Sequence, residues 1–500
     1  MVTVPLTAAR RYRFGPLDRS GWLLGLGPPA CIALGVGLVL GGAAFHAAHS
    51  VLAAVPPVGL AALVAFGRYD GRALHEWIEP LWGWAVLRHQ HAAQWMARVP
   101  LLGSDPSGAD LPPCLVGLEL HEVAGRAGAP RPTGIGVVVD RQRQLLSATL
   151  RVHGGAFALL EHEEQARVLD GWGAAMGGFC RERGAVTRVS WSEWAAPASL
   201  DEHLAFVRDQ RGADRNAALE DYLELVGRAG PLTFAHETLI TVTVDRRRVR
   251  SVRAPDADAA ALDALLEELR RFTSRLEQAG FLVDPPLAPG ELALVVRLRS
   301  DPSSAPRLAT RRDRLAEQAR VVSPHNTAPL AVDTTWRHVL VDQALHRCFW
   351  IAEWPRLEVP GDWLATLLLH PGGIRTVTVV HEPVPPSRSR RAVDREATRL
   401  ASDEDERVRR GFRVRAQHRR AESEVLARET EIVAGYPELR FAGFLTVTAF
   451  DEHSLDEQAG EWEQAAAQGG LELRALDGQH DLAFAAGLPL GRLPDGRGRP

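Results

Sequence analysis

The sequence predicts an α+β protein: an N-terminal two-helix transmembrane hairpin followed by soluble, ferredoxin-like α/β sandwich units of β-β-α-β type. Three observations carry this. Two uncharged apolar runs, Gly21–Phe45 and Val51–Phe66, stand close together near the N-terminus, and no later run could span a bilayer. Beyond about residue 100, strand-like and helix-like patterns alternate. The strands also recur as hairpins, which favours α+β sandwiches over a doubly wound parallel sheet.

As a helix, Gly21–Phe45 measures about 37 Å, enough for roughly 30 Å of hydrocarbon with some tilt. Val51–Phe66 reaches about 24 Å, so it must borrow Ala47 and Ala48 or thin the bilayer. Pro28–Pro29 and Pro56–Pro57 fall within the runs and should kink or offset the helices. Trp22, Phe45, Val51 and Phe66, which bound the two runs, together with Trp77, Trp82 and Trp84 just beyond them, are the expected anchoring side chains. Arg10, Arg11, Arg13 and Arg19 precede the first run, Arg68 and Arg72 follow the second, and the turn His46–Ser50 holds no arginine. The positive-inside rule then puts both ends, and the soluble body, on the cytoplasmic side of a multi-pass inner-membrane protein. A cleaved signal peptide fits less well, because the first run exceeds the usual apolar core and a second follows at once.

Leu74–Trp95 carries Trp77, Trp82, Trp84 and Trp95 among Ile78, Leu81 and Leu87. Either a helix lying at the headgroup level or an ordinary packed helix accounts for it. Gly103–Pro113 reads as a linker. The chain thus divides into a hairpin with basic leader (1–72), an interfacial helix and linker (73–112), and two soluble α+β domains (113–300 and 301–500).

In the first of these, Gly134–Val139 and Leu145–Val152 form a hairpin pattern, and Glu161–Arg183 places Leu169, Trp172, Met176 and Phe179 on one helical face. Val186–Trp191 and Leu239–Val244 read as strands. Asp258–Ala279 is an amphipathic helix closed by Gly280, and Glu291–Arg299 reads as a strand. The pattern returns with a hairpin from Trp336–Val341 and Cys348–Ile351, a helix near Trp363–His370 and a strand at Ile374–His381. Arg388–Glu431 reads as a solvated helix or helix pair. Phe441–Phe450 is a strand, Ser454 with Glu457 forms a capping box before a helix packing through Trp462, and Leu471–Leu476 closes the series. No strict sequence repeat is visible; the recurrence is architectural.

All 58 basic residues are arginine, against 62 acidic ones, a formal charge of −4. Without lysine there is no phosphate-binding loop of the G-x-x-x-x-G-K-[ST] form and no Schiff base. Cys31, Cys114, Cys180 and Cys348 are too scattered for a zinc site or a disulfide framework. His121–Glu122, His236–Glu237 and His381–Glu382 each lack the second histidine of a metalloprotease helix, and His89 and His91 point to different helical faces. Asp256 with Asp258 and Asp403 with Asp405 lie at helix starts, where carboxylates favour the dipole. Thirteen arginines between Arg388 and Arg428 are balanced by ten acids through Glu431, so direct DNA contact is not expected there. No catalytic, metal-binding or cofactor-binding residue is assigned, and no cofactor is expected.

The order of parts nonetheless resembles known families. The basic leader, Gly-rich hairpin and Trp/Arg stretch resemble the PrgI-like membrane subunits of type IV secretion systems. Leu115–Val123, reading LVGLELHEV, resembles the entry strand of an actinobacterial family of conjugative-element membrane proteins. Gln479–Arg492, reading QHDLAFAAGLPLGR, looks like the close of the amino-terminal domain of TraC-type conjugation ATPases, here without the motor. The resemblance implies a non-enzymatic structural component of a conjugation or type IV-like secretion system. It would sit in membrane lipid within an oligomeric assembly, offering a platform to a separate secretion ATPase and other channel subunits. An EccE-like component of a type VII system, or a membrane-anchored enzyme with an unrecognised site, are the alternative readings.

Overall fold

The computed structural model describes residues 12, 14, 27–69, 72–97, 111–124, 134–155, 157–197, 207, 217–229, 234–249, 257–305, 308, 328–409 and 416–493. It is an α+β protein. The chain starts with α1 (Pro28–Ala48) and α2 (Val51–Phe66), a two-strand ribbon β1 (Arg68–Tyr69) and β2 (Arg72–Ala73), then α3 (Leu74–His89). Pro28 and Pro29 do not kink α1. They occupy its first turn, where a missing N–H costs nothing. The aromatic helix ends at His89, earlier than expected, and Trp95 belongs to strand β3 (Gln94–Met96).

Among the described residues the body is built on one antiparallel sheet of thirteen strands. Its first half comprises β4 (Leu118–Val123), β5 (Ile135–Asp140), β6 (Leu145–His153), α4 (His162–Gly177), β7 (Val186–Pro197), α5 (Ala217–Ala229), β8 (Phe234–Asp245), α6 (Ala257–Gln278), β9 (Leu282–Val283) and α7 (Pro289–Ser300). The second half comprises β10 (Ala331–Thr334), β11 (Val339–Val341), β12 (Ala344–Glu353), α8 (Ala365–Leu368), β13 (Ile374–Pro383), α9 (Pro386–Arg409), α10 (Ala416–Val433), β14 (Leu439–Ala449), α11 (Glu452–Gln468), β15 (Glu472–Ala475) and α12 (His480–Gly487).

The two halves repeat one plan. The first runs β4-β5-β6-β8-β7 across the sheet with β9 on β6; the second runs β10-β11-β12-β14-β13 with β15 on β12. They join edge to edge through β7 and β13. The register makes the repeat specific. Leu150 pairs with Ile240 and Ile240 with Trp191; correspondingly Phe349 pairs with Leu445 and Leu445 with Val377. At the joint Trp191 faces Val379 and Glu193 faces Val377, so the middle pair, Ser192 and Thr378, maps onto itself. A quasi-two-fold axis passes through that pair.

One face of the sheet is covered by α4 and α6 in the first half and by α8 and α11 in the second. Phe272, Leu276, Phe179 and Trp462 are fully buried there, and Trp191 packs into both halves' cores. The other face carries α7 and α12. Counterpart polar pairs line it: Ser147 with Thr243 (3.0 Å) matches His346 with Thr448 (2.9 Å), and Thr149 with Thr241 (2.9 Å) matches Cys348 with Thr446 (3.5 Å). Each half also reaches across the joint. The Ser300 carbonyl at the end of α7 accepts from His346 Nε2, and beyond α12 the Pro489 carbonyl accepts from Thr149. Gly491 follows with φ +70°, and a Cβ there would collide with Ser147.

Asp403 and Asp405 lie in the last two turns of α9, not at a helix start, because the helix already begins at Pro386. Two further expectations differ. Glu291–Arg299 is helical, not a strand: Pro289 starts α7, the Glu291 carboxylate accepts from the Ala288 N–H, and Leu292, Ala293 and Val295 bury one side. The cap of α11 is Asp451, whose carboxylate accepts from the Ser454 N–H, rather than a Ser454–Glu457 box.

Candidate membrane-anchoring site

The helices α1 and α2 are joined by two residues and pack closely because small side chains meet between them. A Cβ added to Gly37 would lie 2.1 Å from Ala61 Cβ, and one added to Gly41 would lie 2.6 Å from a Val58 methyl. Such close approach is characteristic of glycines spaced four apart in apolar helices. The outward sides expose Val39, Leu40, Leu52, Leu60 and Leu63. Of the described helices, one segment, Pro29–Ala48, is long and apolar enough to cross a membrane; α2, with 16 residues, is a shorter apolar helix.

At the foot of α2, the Gly67 N–H donates to the Leu63 carbonyl (2.7 Å) and Leu74 N–H returns to the Gly67 carbonyl (2.9 Å). With the chain returned to Gly67 in this way, α3 lies against the β10–β11 connection. Trp77 donates from Nε1 to the Tyr69 carbonyl (3.3 Å), and the Arg72 guanidinium lies over its ring, 5.1 Å from the centroid. Arg72 also donates to the Ala475 carbonyl at the end of β15 (2.6 Å). On the body side, Trp336 projects from the β10–β11 connection, stacking on Trp77 (6.4 Å) and meeting Trp84 edge-on (5.8 Å). Gly478, at φ +71°, makes room for it: a Cβ there would sit 2.7 Å from the indole. Between α3 and the body lies a cavity of about 560 Å³ walled by Tyr69, Leu74, Trp77, Leu81, Trp336 and Asp477.

The expected anchoring residues therefore part company. Phe45, Val51 and Phe66 are exposed on the apolar pair, and Trp82, 70 % exposed, lies one turn from the exposed Ile78, while Leu81 borders the cavity toward the body. Trp77 is buried and Trp84 half-buried, both against Trp336. The helix is thus packed on one side, and its exposed side mixes Ile78 and Trp82 with Glu76 and Glu79. Arg68 and Arg72 sit on the ribbon at the foot. Trp22, Arg10, Arg11, Arg13 and Arg19 lie outside the described residues, as do Gly103–Asp110 of the expected linker. Sequence reading missed Gly37, Gly41, Trp336 and Asp477. The glycine spacing was a usable signal; nothing near Trp336 or Asp477 marked them.

Elsewhere the polar groups are used structurally. His236 Nδ1 lies 2.6 Å from Glu193 Oε1, which also accepts from Arg375 (3.2 Å). His121 lies 2.9 Å from Glu119 on the exposed strand β4. Burial pushes His381 down to about 4 and the Cys348 thiol up to about 12, and it raises Cys114 as well, so these thiols are poor nucleophiles. No group of three His, Cys, Asp or Glu residues suited to a metal occurs among the described residues. The Arg388–Glu431 stretch forms α9 and α10, where Arg420 pairs with Glu424, and Arg428 with Glu396 and Glu438.

The chain matches no protein-family model and no curated protein sequence.

Proposed function

We propose that this protein is a non-enzymatic, membrane-anchored structural component of a conjugation or type IV-like secretion system. Its α1–α2 pair would enter the inner membrane as a hairpin, and its body, two halves of ferredoxin-like β-β-α-β type, would serve in the cytoplasm as a platform for a separate secretion ATPase. The observation that carries the anchor is the uncharged, outward-facing apolar surface of α1 and α2, a surface of a size that soluble proteins keep covered. The short α2 is compatible with spanning if the bilayer thins around it. The arginines at both ends favour the cytoplasmic orientation. The platform role rests on the resemblance of LVGLELHEV and QHDLAFAAGLPLGR to conjugation proteins. In this structure Arg492 of the second segment donates to the Cys114 and Val116 carbonyls beside the first, so the two adjoin.

The test has two parts. In host cells the protein should resist carbonate extraction, and a cysteine at residue 48 or 49 should react with an impermeant thiol reagent from outside while one in the body does not. Affinity purification should bring down a conjugation ATPase, and deletion should abolish transfer. Extraction as a soluble protein removes the anchor; absence of both the ATPase and a transfer defect removes the platform.

A further inference from the structure

The cavity at the foot of α2 has a composition that ordinary packing does not require. Its walls are the rings of Tyr69, Trp77 and Trp336 with Leu74 and Leu81; among the described residues Asp477 is its single charged wall residue, and the Arg72 guanidinium lies over the Trp77 ring. Aromatic faces attract cations and also accept apolar chains; a carboxylate beside them selects the cation. The Asp477 carboxylate lies 3.6 Å from His480 Nε2. That imidazole is fully buried, and burial lowers its pKa, so it does not balance the charge at neutral pH. The architecture keeps this arrangement in place. Trp336 rests on Gly478, directly after Asp477, and the Gly478 N–H donates to the Trp336 carbonyl (2.8 Å). Arg72 ties the ribbon to the end of β15 two residues before Asp477.

Position supplies the rest. Tyr69 is three residues past the end of α2, so if α2 is embedded the cavity opens at the level of the headgroups. Asp477 on the wall and Arg72 over Trp77 put both signs of charge at the cavity, which suits a zwitterionic headgroup whose primary ammonium meets the carboxylate and the Trp336 ring better than a headgroup with negative charge alone. We infer that this cavity binds the ammonium headgroup of phosphatidylethanolamine, with Asp477 as the counter-charge and Trp336 as the main aromatic wall. The inference rests on the anchoring reading above and adds a lipid preference to it.

The test uses the full chain reconstituted into vesicles of phosphatidylglycerol alone, or of phosphatidylglycerol with phosphatidylethanolamine of identical acyl chains. Flotation reads anchoring; native mass spectrometry after detergent release reads which lipid stays bound. The expected result is flotation with both vesicles and retention of phosphatidylethanolamine over phosphatidylglycerol. Asp477→Asn should lower that retention about tenfold, and Trp336→Leu by a similar factor, with flotation unchanged. Flotation without lipid preference, or a preference that Asp477→Asn leaves intact, overturns the inference and spares the anchor. Failure to float with either vesicle overturns the anchor, and the lipid site with it.

Discussion

Ser192 and Thr378 face each other where β7 meets β13, and each is the counterpart of the other in the two halves of the sheet. Symmetry stops at the side chains. Ser192 Oγ accepts from the buried guanidinium of Arg299 at 3.0 Å, while Thr378 Oγ1 is buried with no hydrogen-bond partner among the described residues. Arg299 is 3 % exposed, and it also donates to Glu237 (3.3 Å). Ser192→Ala should therefore destabilise the protein by about 1–3 kcal/mol, by stranding a buried donor. Thr378→Val, which removes an unsatisfied hydroxyl at constant shape, should be neutral or stabilising. Urea unfolding of the full chain in detergent separates the two; equal effects would show that the axis is not asymmetric in this way.

Glu193 and Arg375 pose a similar question on the opposite face. Both are almost fully buried, 3.2 Å apart, and the Arg375 guanidinium also lies over Trp462, 5.1 Å from its centroid. Removing one partner leaves the other charge buried, so Glu193→Ala should cost about 3–5 kcal/mol. The double variant Glu193→Ala with Arg375→Met should recover part of that loss, because it deletes the orphaned charge. Additive losses in a double-mutant cycle would show that the pair is not coupled.

Most strands and the major helices were legible because each half-buried strand alternates or runs apolar, and α6 places Leu265, Leu269, Phe272 and Leu276 on one side. Glu291–Arg299 misled because ELALVVRLR has an apolar run short enough for either state, and only Pro289 hinted at a helix start. The repeat was hidden for a different reason. Counterpart positions conserve a role, not a residue: Ser147 answers to His346 and Thr149 to Cys348. The β7–β13 joint was equally invisible, since pairing partners nearly two hundred residues apart leave no local pattern. At the candidate site, local spacing could reveal Gly37 and Gly41. Trp336 and Asp477 acquire meaning only when distant loops meet.

His346 sets a pH dependence. It is fully buried, donates from Nε2 to the Ser300 carbonyl, and has Nδ1 2.9 Å from the Thr448 hydroxyl, an arrangement that suits the neutral ring. Burial lowers its pKa to about 4, and His381 is lowered to a similar value. An unfolded histidine takes up its proton near 6.5, so between about pH 6.5 and 4 the unfolded state binds more protons. Stability should be complete above pH 6.5 and fall as pH drops toward 4, by about 3 kcal/mol for each of the two residues. Urea midpoints measured from pH 7 to 4.5 should show this slope. His346→Gln should flatten it by about one proton relative to wild type; an unchanged slope would remove His346 as its source.

The close packing of α1 on α2 is open to a direct chemical check. An ideal Cβ on Gly41 lies 3.8 Å from Ala54 Cβ, within the separation that disulfides bridge, and the nearest obstruction is a Val58 methyl that can rotate aside. In a Cys31→Ser background, Gly41→Cys with Ala54→Cys should therefore close a disulfide on mild oxidation, read by the loss of two alkylatable thiols in the intact mass. Gly42 faces open space, so Gly42→Cys with Ala54→Cys should stay reduced. Adding Gly37→Leu to the first pair should abolish the bond, because a side chain there has no room beside Ala61 and must push the helices apart. If the Gly42 pair closes as readily as the Gly41 pair, the helices do not meet through this glycine face. The hairpin would then need a different packing to present its apolar surface outward.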